Sequence, residues 1–432
     1  MNYQQSLDYL ADHVGLGVKP GLERIRSLLE AMGSPHEGYP IVHVAGTNGK
    51  TSTARMTTRL LAAHGLSTGT FTSPHLERVE ERLAMHGEYA TPEDFALAVS
   101  DVAVFADLLV ERGGEPPTYF ELTTAAAFAF FADKTANAAV LEVGLGGRLD
   151  ATNVVDAEVC VVTGIGVEHV EYLGSDVKTI AREKLGIVGA GSILVTGDLP
   201  EPAAEAAVEK VREFGNQHRI FGRDFGIGEF SKGIRGWHVT IDGAEQTYED
   251  IFLPVHGRHQ LHNLAVSIAA AEALVGDKLE GDAVVEAMVG LTLPGRLEPV
   301  ATGPLVMLDG AHNADGIASL VAALEDEFPT TLWHVVFGVM GDKNVDLMIE
   351  CLAPIAKGFV ATAPDSERAV KPYELAEKLA TQVGVPVLTA DTTDLAVDMA
   401  RAEAGPAGSV LVTGSLYLVG EARSAITAGD QP

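Results

Sequence analysis

The chain has 432 residues, room for two or three domains at ~150 residues each. With 47% hydrophobic and 21% charged residues it has the apolar material for packed cores, which excludes a disordered chain. Sixty acidic against thirty basic residues leave a formal charge of -30 with no basic run, so nucleic acid and anionic membrane surfaces are poor partners.

The two cysteines, Cys160 and Cys351, are too few for a disulfide framework or a zinc cluster. The opening segment MNYQQSLDYLADHV lacks the basic start and apolar run of a secretion signal, and no segment reaches the ~20 apolar residues needed to span a bilayer. A cytoplasmic protein is expected. Leu7, Leu10 and Val14, then Leu22, Ile25, Leu28, Leu29 and Met32, recur at helical spacing and predict two amphipathic helices. A buried strand follows over 41–45, running into a glycine turn and a helix that carries Met56, Leu60 and Leu61 and stops at Gly65. Further strands are expected at 138–143, 158–163 and 192–196, between helical stretches, which favours a mostly parallel α/β sheet with helices on both faces. Dense glycines between about 220 and 253 predict a small antiparallel excursion. A helix over 263–275 and a Pro-Gly hinge near 290–296 come next. Five more strands, at 305–309, 332–337, 358–362, 385–389 and 409–413, predict a second, smaller α/β domain, dividing the chain at 295/296.

The motif VHVAGTNGKTST at 42–53 puts Gly46, Thr47, Asn48, Gly49, Lys50, Thr51 and Ser52 between a strand and a helix. Backbone amides, the helix N-terminus and one ammonium there can cradle a polyphosphate, while a hydroxyl faces a magnesium ion. The match to the standard phosphate-loop spacing is imperfect, since its first glycine falls at Val44, and a structural glycine turn is the rival reading.

GTNGKT is similar to the shortened phosphate loop of the Mur ligase superfamily. In order along the chain stand TSPHLERVEERL (72–83), VLEVGLGGRLDATNVV (140–155), IGVEHVEYLG (165–174), EKLGIV (183–188), GRHQLHNLA (257–265), LPGRLE (293–298), LDGAHN (308–313) and VTGSLYLVGE (412–421). The set resembles the folylpolyglutamate synthase/dihydrofolate synthase family over nearly the whole chain. With 45 residues before Gly46, the UDP-sugar-binding domain of the peptidoglycan ligases is not expected here.

The resemblance implies a P-loop-type central domain with a Rossmann-like C-terminal domain, and an ATP-dependent ligase joining L-glutamate to dihydropteroate or a folate through an acyl phosphate. It implies magnesium held by Ser73, Glu142 and His169, and a second magnesium on a carbamate of Lys184. Asn263, Arg296, Asp309 and His312 are expected on the nucleotide, so that ATP touches both domains, and Lys50, Lys184 and Arg296 carry the catalysis. Thr118, Phe120, Arg148 and Asp150 are expected on the pterin side, with Ser415 a candidate for glutamate. A monomer is implied.

Taken singly, several of these residues have ordinary readings. Lys184 is a solvated helix lysine, His169 a structural histidine, Ser73 a turn residue, Asn263 a helix cap, Arg296 a surface residue and Phe120 plain core. Glu142 is the firmest, because an acid ending a buried apolar strand is costly without a cation. Two departures stand out: GKTS in place of the usual GKGS, and Glu80 where an amide is common, which predicts a more acidic pocket. The alternatives are a Mur-type ligase for another acid and amino acid, and a nucleotide-binding protein without catalysis.

Overall fold

The computed structural model describes residues 1–17 and 19–429. The chain divides into two compact units, the first comprising 1–233, 238–253 and 261–291, the second 234–237, 254–260 and 292 onward.

The first unit is built on eight strands: β1 (Ile41–Ala45), β2 (Thr68–Phe71), β3 (Leu83–Met85), β4 (Glu88–Tyr89), β5 (Ala138–Glu142), β6 (Val159–Val162), β7 (Ile193–Thr196) and β8 (Gln217–Ile220). Their order is β4-β3-β2-β5-β1-β6-β7-β8. Pairing is parallel from β2 through β8, and β3 and β4 fold back antiparallel at one edge. Strands β1, β5 and β6 are buried throughout, which their near-continuous apolar runs require of strands covered on both faces. The chain leaves β1 toward β2 on one side and returns through β6 on the other, so the strand order reverses around β1. Ligands collect outside the carboxyl ends of such strands.

The sequence does not disclose β2, whose TGTF carries an interior glycine. A Cβ on Gly69 would lie 2.5 Å from the Phe131 ring, so glycine is there to let helix Tyr119–Asp133 close on the sheet. The edge strand β8 (QHRI) is too polar to read as a buried strand. Val14, expected on the first helix, lies beyond its end at Ala11 and is exposed.

The excursion is a three-stranded sheet of β9 (Gly226–Gly233), β10 (Gly236–Asp242) and β11 (Thr247–Leu253) in the order β11-β10-β9. It is followed by helix His259–Val275. Residues 254–260 group with the second unit, where His256 Nδ1 and the Gly257 amide meet the Glu327 carboxylate at 2.6 and 2.5 Å.

The second unit contains β12 (Glu298–Thr302), β13 (Leu305–Leu308), β14 (Trp333–Phe337), β15 (Ala356–Ala361), β16 (Val387–Thr389) and β17 (Ser409–Thr413), in the order β12-β13-β17-β14-β15-β16. All pairs are parallel except β12 with β13. The EPVAT of β12 is half-exposed at the edge, and that mixed burial hides it from a search for apolar runs. Among the described residues no helix is long and apolar enough to cross a membrane.

Candidate active site

The turn after β1 leads into helix Lys50–Ala63, whose first amides point back at the loop. Gly46 and Gly49 adopt φ of +151° and +84°. A Cβ on Gly46 would meet Thr163 Oγ1 at 2.0 Å, and one on Gly49 would meet Asn263 Oδ1 at 2.6 Å, so both positions demand glycine. The loop is tied to the segment after β6: Thr47 N–H donates to Gly164 O, Gly166 N–H to Thr47 Oγ1, and Thr163 Oγ1 to Asn48 O. Lys50 Nζ folds over the turn and donates to the carbonyls of Gly46 and Thr47 at 2.9 and 3.0 Å. Thus Asn263, distant in sequence, is brought against the loop, and Ser52 is buried just behind it.

Glu142 ends β5 beside this turn and is 1% exposed. Thr51 Oγ1 donates to its two oxygens at 2.9 and 3.0 Å, and the Ser73 amide donates to Oε2 at 3.2 Å. A phosphate-loop hydroxyl against a strand-end acid is the arrangement that P-loop enzymes use for magnesium. No three His, Cys, Asp or Glu side chains among the described residues converge to hold a metal. A cation here would rest on Glu142 with hydroxyl and phosphate oxygens, a hard oxygen set of the kind magnesium takes. His169, in the segment after β6, has a left-handed backbone, φ +46°, an uncommon conformation for a residue with a side chain.

Lys184 is no surface lysine. It is 2% exposed, and Nζ donates to Gly46 O at 2.9 Å and to Glu168 Oε1 at 2.6 Å. Burial lowers its ammonium to about 8 against the opposing pull of Glu168. Burial pushes the Glu168 carboxyl upward, but the charges of Lys184 and Lys50 outweigh it and hold the group below its ordinary value. Glu168 is the site residue that the sequence does not disclose. Its one signal is the acid immediately before His169, and nothing local links it to a lysine sixteen positions on.

The glycines of GLGGR and EKLG are explained by close backbone contact. A Cβ on Gly147 would lie 2.7 Å from the carbonyls of Glu183 and Lys184, and one on Gly186 would lie 2.3 Å from Arg148 Cβ. Arg148 itself is 55% exposed and pairs with Glu183 at 3.0 Å. Asp150 is buried and turned inward: Oδ1 accepts from Thr152 N–H and Oγ1, and Oδ2 from Leu145 N–H. Thr152 Oγ1 in turn meets His43 Nε2 of β1 at 2.8 Å, so Asp150 clamps its loop to the central strand. Burial raises the Asp150 carboxyl despite those bonds. The Thr118 hydroxyl caps helix Tyr119–Asp133 in a capping box with Glu121. The Phe120 ring is half-buried at the sheet's carboxyl edge, 5.8 Å from Phe71 and close over Gly144. Glu80 does not add a free charge: Tyr3 donates to it at 2.7 Å and Arg78 lies 3.5 Å away.

In the second unit, Asp309 follows β13 and is 6% exposed. Its oxygens accept the amides of Leu297 and Ala311, both at 2.9 Å. Burial raises its carboxyl while the Arg296 charge pulls the other way. Arg296 lies against Gly310, where a Cβ would meet its guanidinium at 2.6 Å, and His312 Nδ1 bonds Gly310 O at 2.8 Å. Arg296, Asp309 and His312 therefore form one cluster. Ser415 is buried and its hydroxyl accepts the Tyr417 amide at the start of helix Leu416–Gly429.

Residues 44–271 match the Mur ligase middle domain and 295–416 the Mur ligase glutamate ligase domain. The dihydrofolate synthase/folylpolyglutamate synthase of Mycobacterium tuberculosis is 36% identical over 94% of this chain and 90% of its own. The solved Mycobacterium tuberculosis folylpolyglutamate synthase complexed with ADP aligns at a TM-score of 0.94 and 34% identity, over 100% of this chain and 99% of that one. Escherichia coli FolC in complex with DHPP and ADP aligns at 0.88 and 29% identity, again over 100% and 99%.

Proposed function

Because this chain belongs to the dihydrofolate synthase/folylpolyglutamate synthase family of Mur ligases, we propose that it joins L-glutamate to dihydropteroate or a folyl-(poly)glutamate at the expense of ATP. The observation that carries this reading is the Thr51 hydroxyl on both oxygens of Glu142, beside Lys50 and the helix N-terminus.

A carboxylate is a poor electrophile, since attack would add charge to an anion. One of its oxygens therefore attacks the γ-phosphorus of ATP, ADP leaves, and an acyl phosphate results. The glutamate amine then attacks the acyl carbon, phosphate departs, and the amide forms with loss of a proton. Lys50 and the loop amides hold the phosphates, for which Lys50 exchanges its present carbonyl partners. Glu142, Thr51 and Ser73 with His169 would hold magnesium, which neutralises the phosphate oxygens that repel the incoming acid. Asn263, beside Gly49, would contact adenine, and Arg296, Asp309 and His312 would contact the phosphates and ribose. Phe120 offers a stacking face to the pterin, Thr118 and Asp150 shape the wall around it, and Arg148 contacts the acid at its exposed end.

Lys184 would react as the neutral amine with carbon dioxide, forming an N–C bond and releasing a proton. Its lowered ammonium favours this. The carbamate would face Glu168 as a second anion, so it would need a second magnesium ion between the two. Proton-decoupled carbon NMR with labelled carbon dioxide should show one carbamate signal that Lys184→Ala removes. The same proposal places the chain in the cytoplasm as a monomer, which light scattering tests.

Purified protein with ATP, magnesium, L-glutamate and either dihydropteroate or tetrahydrofolate should release ADP and form a glutamylated product visible by mass spectrometry. Absence of both products with both acceptors overturns the reading.

A further inference from the structure

Arg82 ends the turn Val79–Arg82, immediately before β3. Its carbonyl accepts the Thr72 amide at 3.0 Å, which sets it next to the strand end that carries Ser73. The residue is 7% exposed. Nε donates to His75 Nδ1 at 3.0 Å, and the guanidinium carbon lies 5.2 Å from the Tyr119 ring centroid. His75 brings no negative charge, since an imidazole that accepts at Nδ1 is neutral.

The neighbouring acids are committed elsewhere. Glu81 accepts the amides of Leu76, Glu77 and Arg78, and Glu80 is held by Tyr3 and Arg78. Among the described residues no carboxylate pairs with Arg82, although its terminal nitrogens are not among the sealed, unpartnered atoms. A guanidinium this buried, with no carboxylate partner among the described residues, is costly to the fold. Its ring contact and single bond to His75 fix the plane and leave the two terminal nitrogens as a fork suited to a carboxylate.

We propose that Arg82 binds a carboxylate of the acid substrate, the one that is not activated by ATP. This rests on the ligase reading above. Arg82 stands beside Thr72 and Ser73, and the Ser73 amide reaches Glu142 at 3.2 Å, so Arg82 neighbours the phosphate-loop acid while Lys50 and the loop amides serve the reacting group itself. Dihydropteroate has a single carboxylate, the reacting one. A pteroylglutamate activated at its γ-carboxylate carries an α-carboxylate beside it. Arg82 therefore favours acceptors that already bear glutamate.

The test compares the full-length chain with Arg82→Met and Arg82→Lys, using tetrahydrofolate and its α-carboxamide. Loss of one charge-assisted contact corresponds to about 10- to 100-fold in affinity. The wild type should bind the amide at least about tenfold more weakly than the acid. Arg82→Met should bind both equally, with a KM for tetrahydrofolate raised by that factor and kcat within about threefold; Arg82→Lys should retain part of the difference. Without ligand, the melting temperature of Arg82→Met should stay level or rise. An acid-to-amide ratio unchanged in Arg82→Met overturns the proposal, as does a melting temperature that falls in both variants with the ratio intact. Calorimetric titration of the two acceptors reads the same ratio without turnover, so failure of the ligase reading stays distinguishable from failure of this one.

Discussion

Among the buried glutamates of the first unit, Glu272 and Glu142 differ in who holds them. Glu272, in helix His259–Val275, takes the Tyr248 hydroxyl at 2.8 Å, the amides of Ala244 and Glu245 at 2.8 and 3.2 Å, and Arg219 at 3.5 Å. Those partners come from β8, β11 and the turn before it, so the acid fastens the small sheet to the helix. Burial still raises its carboxyl. Glu142 is held by the Thr51 hydroxyl and the Ser73 amide, which belong to the loops where ligands gather. Burial alone therefore does not mark a working acid; the elements that supply its donors do.

The comparison is broken most directly by exchanging each acid. Glu142→Gln, like Lys50→Ala, should lower kcat/KM by about a thousandfold or more with the melting temperature within a few degrees of wild type. An equal loss of activity and fold stability in Glu142→Gln would make that acid as structural as Glu272. Lys184→Ala should cost about a hundredfold in kcat, because the site loses the group whose carbamate would hold the second magnesium ion beside Glu168. Turnover close to wild type would remove Lys184 from the mechanism.

Glu272→Ala should do the reverse, lowering stability in denaturant titration by about 3 kcal/mol while leaving kcat/KM of the folded fraction within about twofold. A pH dependence acts on stability alone. Burial depresses His43 to about 3 against an ordinary value of 6.5. The unfolded chain then binds the extra proton between those values, so the stability from a neutral His43 is complete above pH 6.5 and lost as pH falls toward 3. The slope from this group is about 1.4 kcal/mol per pH unit. His43→Asn should flatten that acid limb in denaturant titrations, and an unchanged slope would assign it elsewhere.

The strand, turn and helix at 41–63 were legible because each signal is local: an apolar run, glycines, then helical spacing. Strand β2 was not, because Gly69 answers to Phe131, a residue far along the chain. Asp150 illustrates the same limit within the site. Its type and motif suit a ring amino group, and no local pattern shows that its oxygens also accept from Thr152 and Leu145.

What the sequence determined by itself was the chemistry on offer: a phosphate-binding turn, an acid ending a buried strand, and a family pattern spread along the chain. These are written in short segments whose periodicity and turn residues act over a few positions. Only the tertiary structure decided that Lys184 is buried against Glu168, that Asn263 abuts Gly49, and that Arg82 meets no carboxylate among the described residues. Charge pairing and exclusion of water depend on which distant segments meet, and no local pattern encodes that meeting.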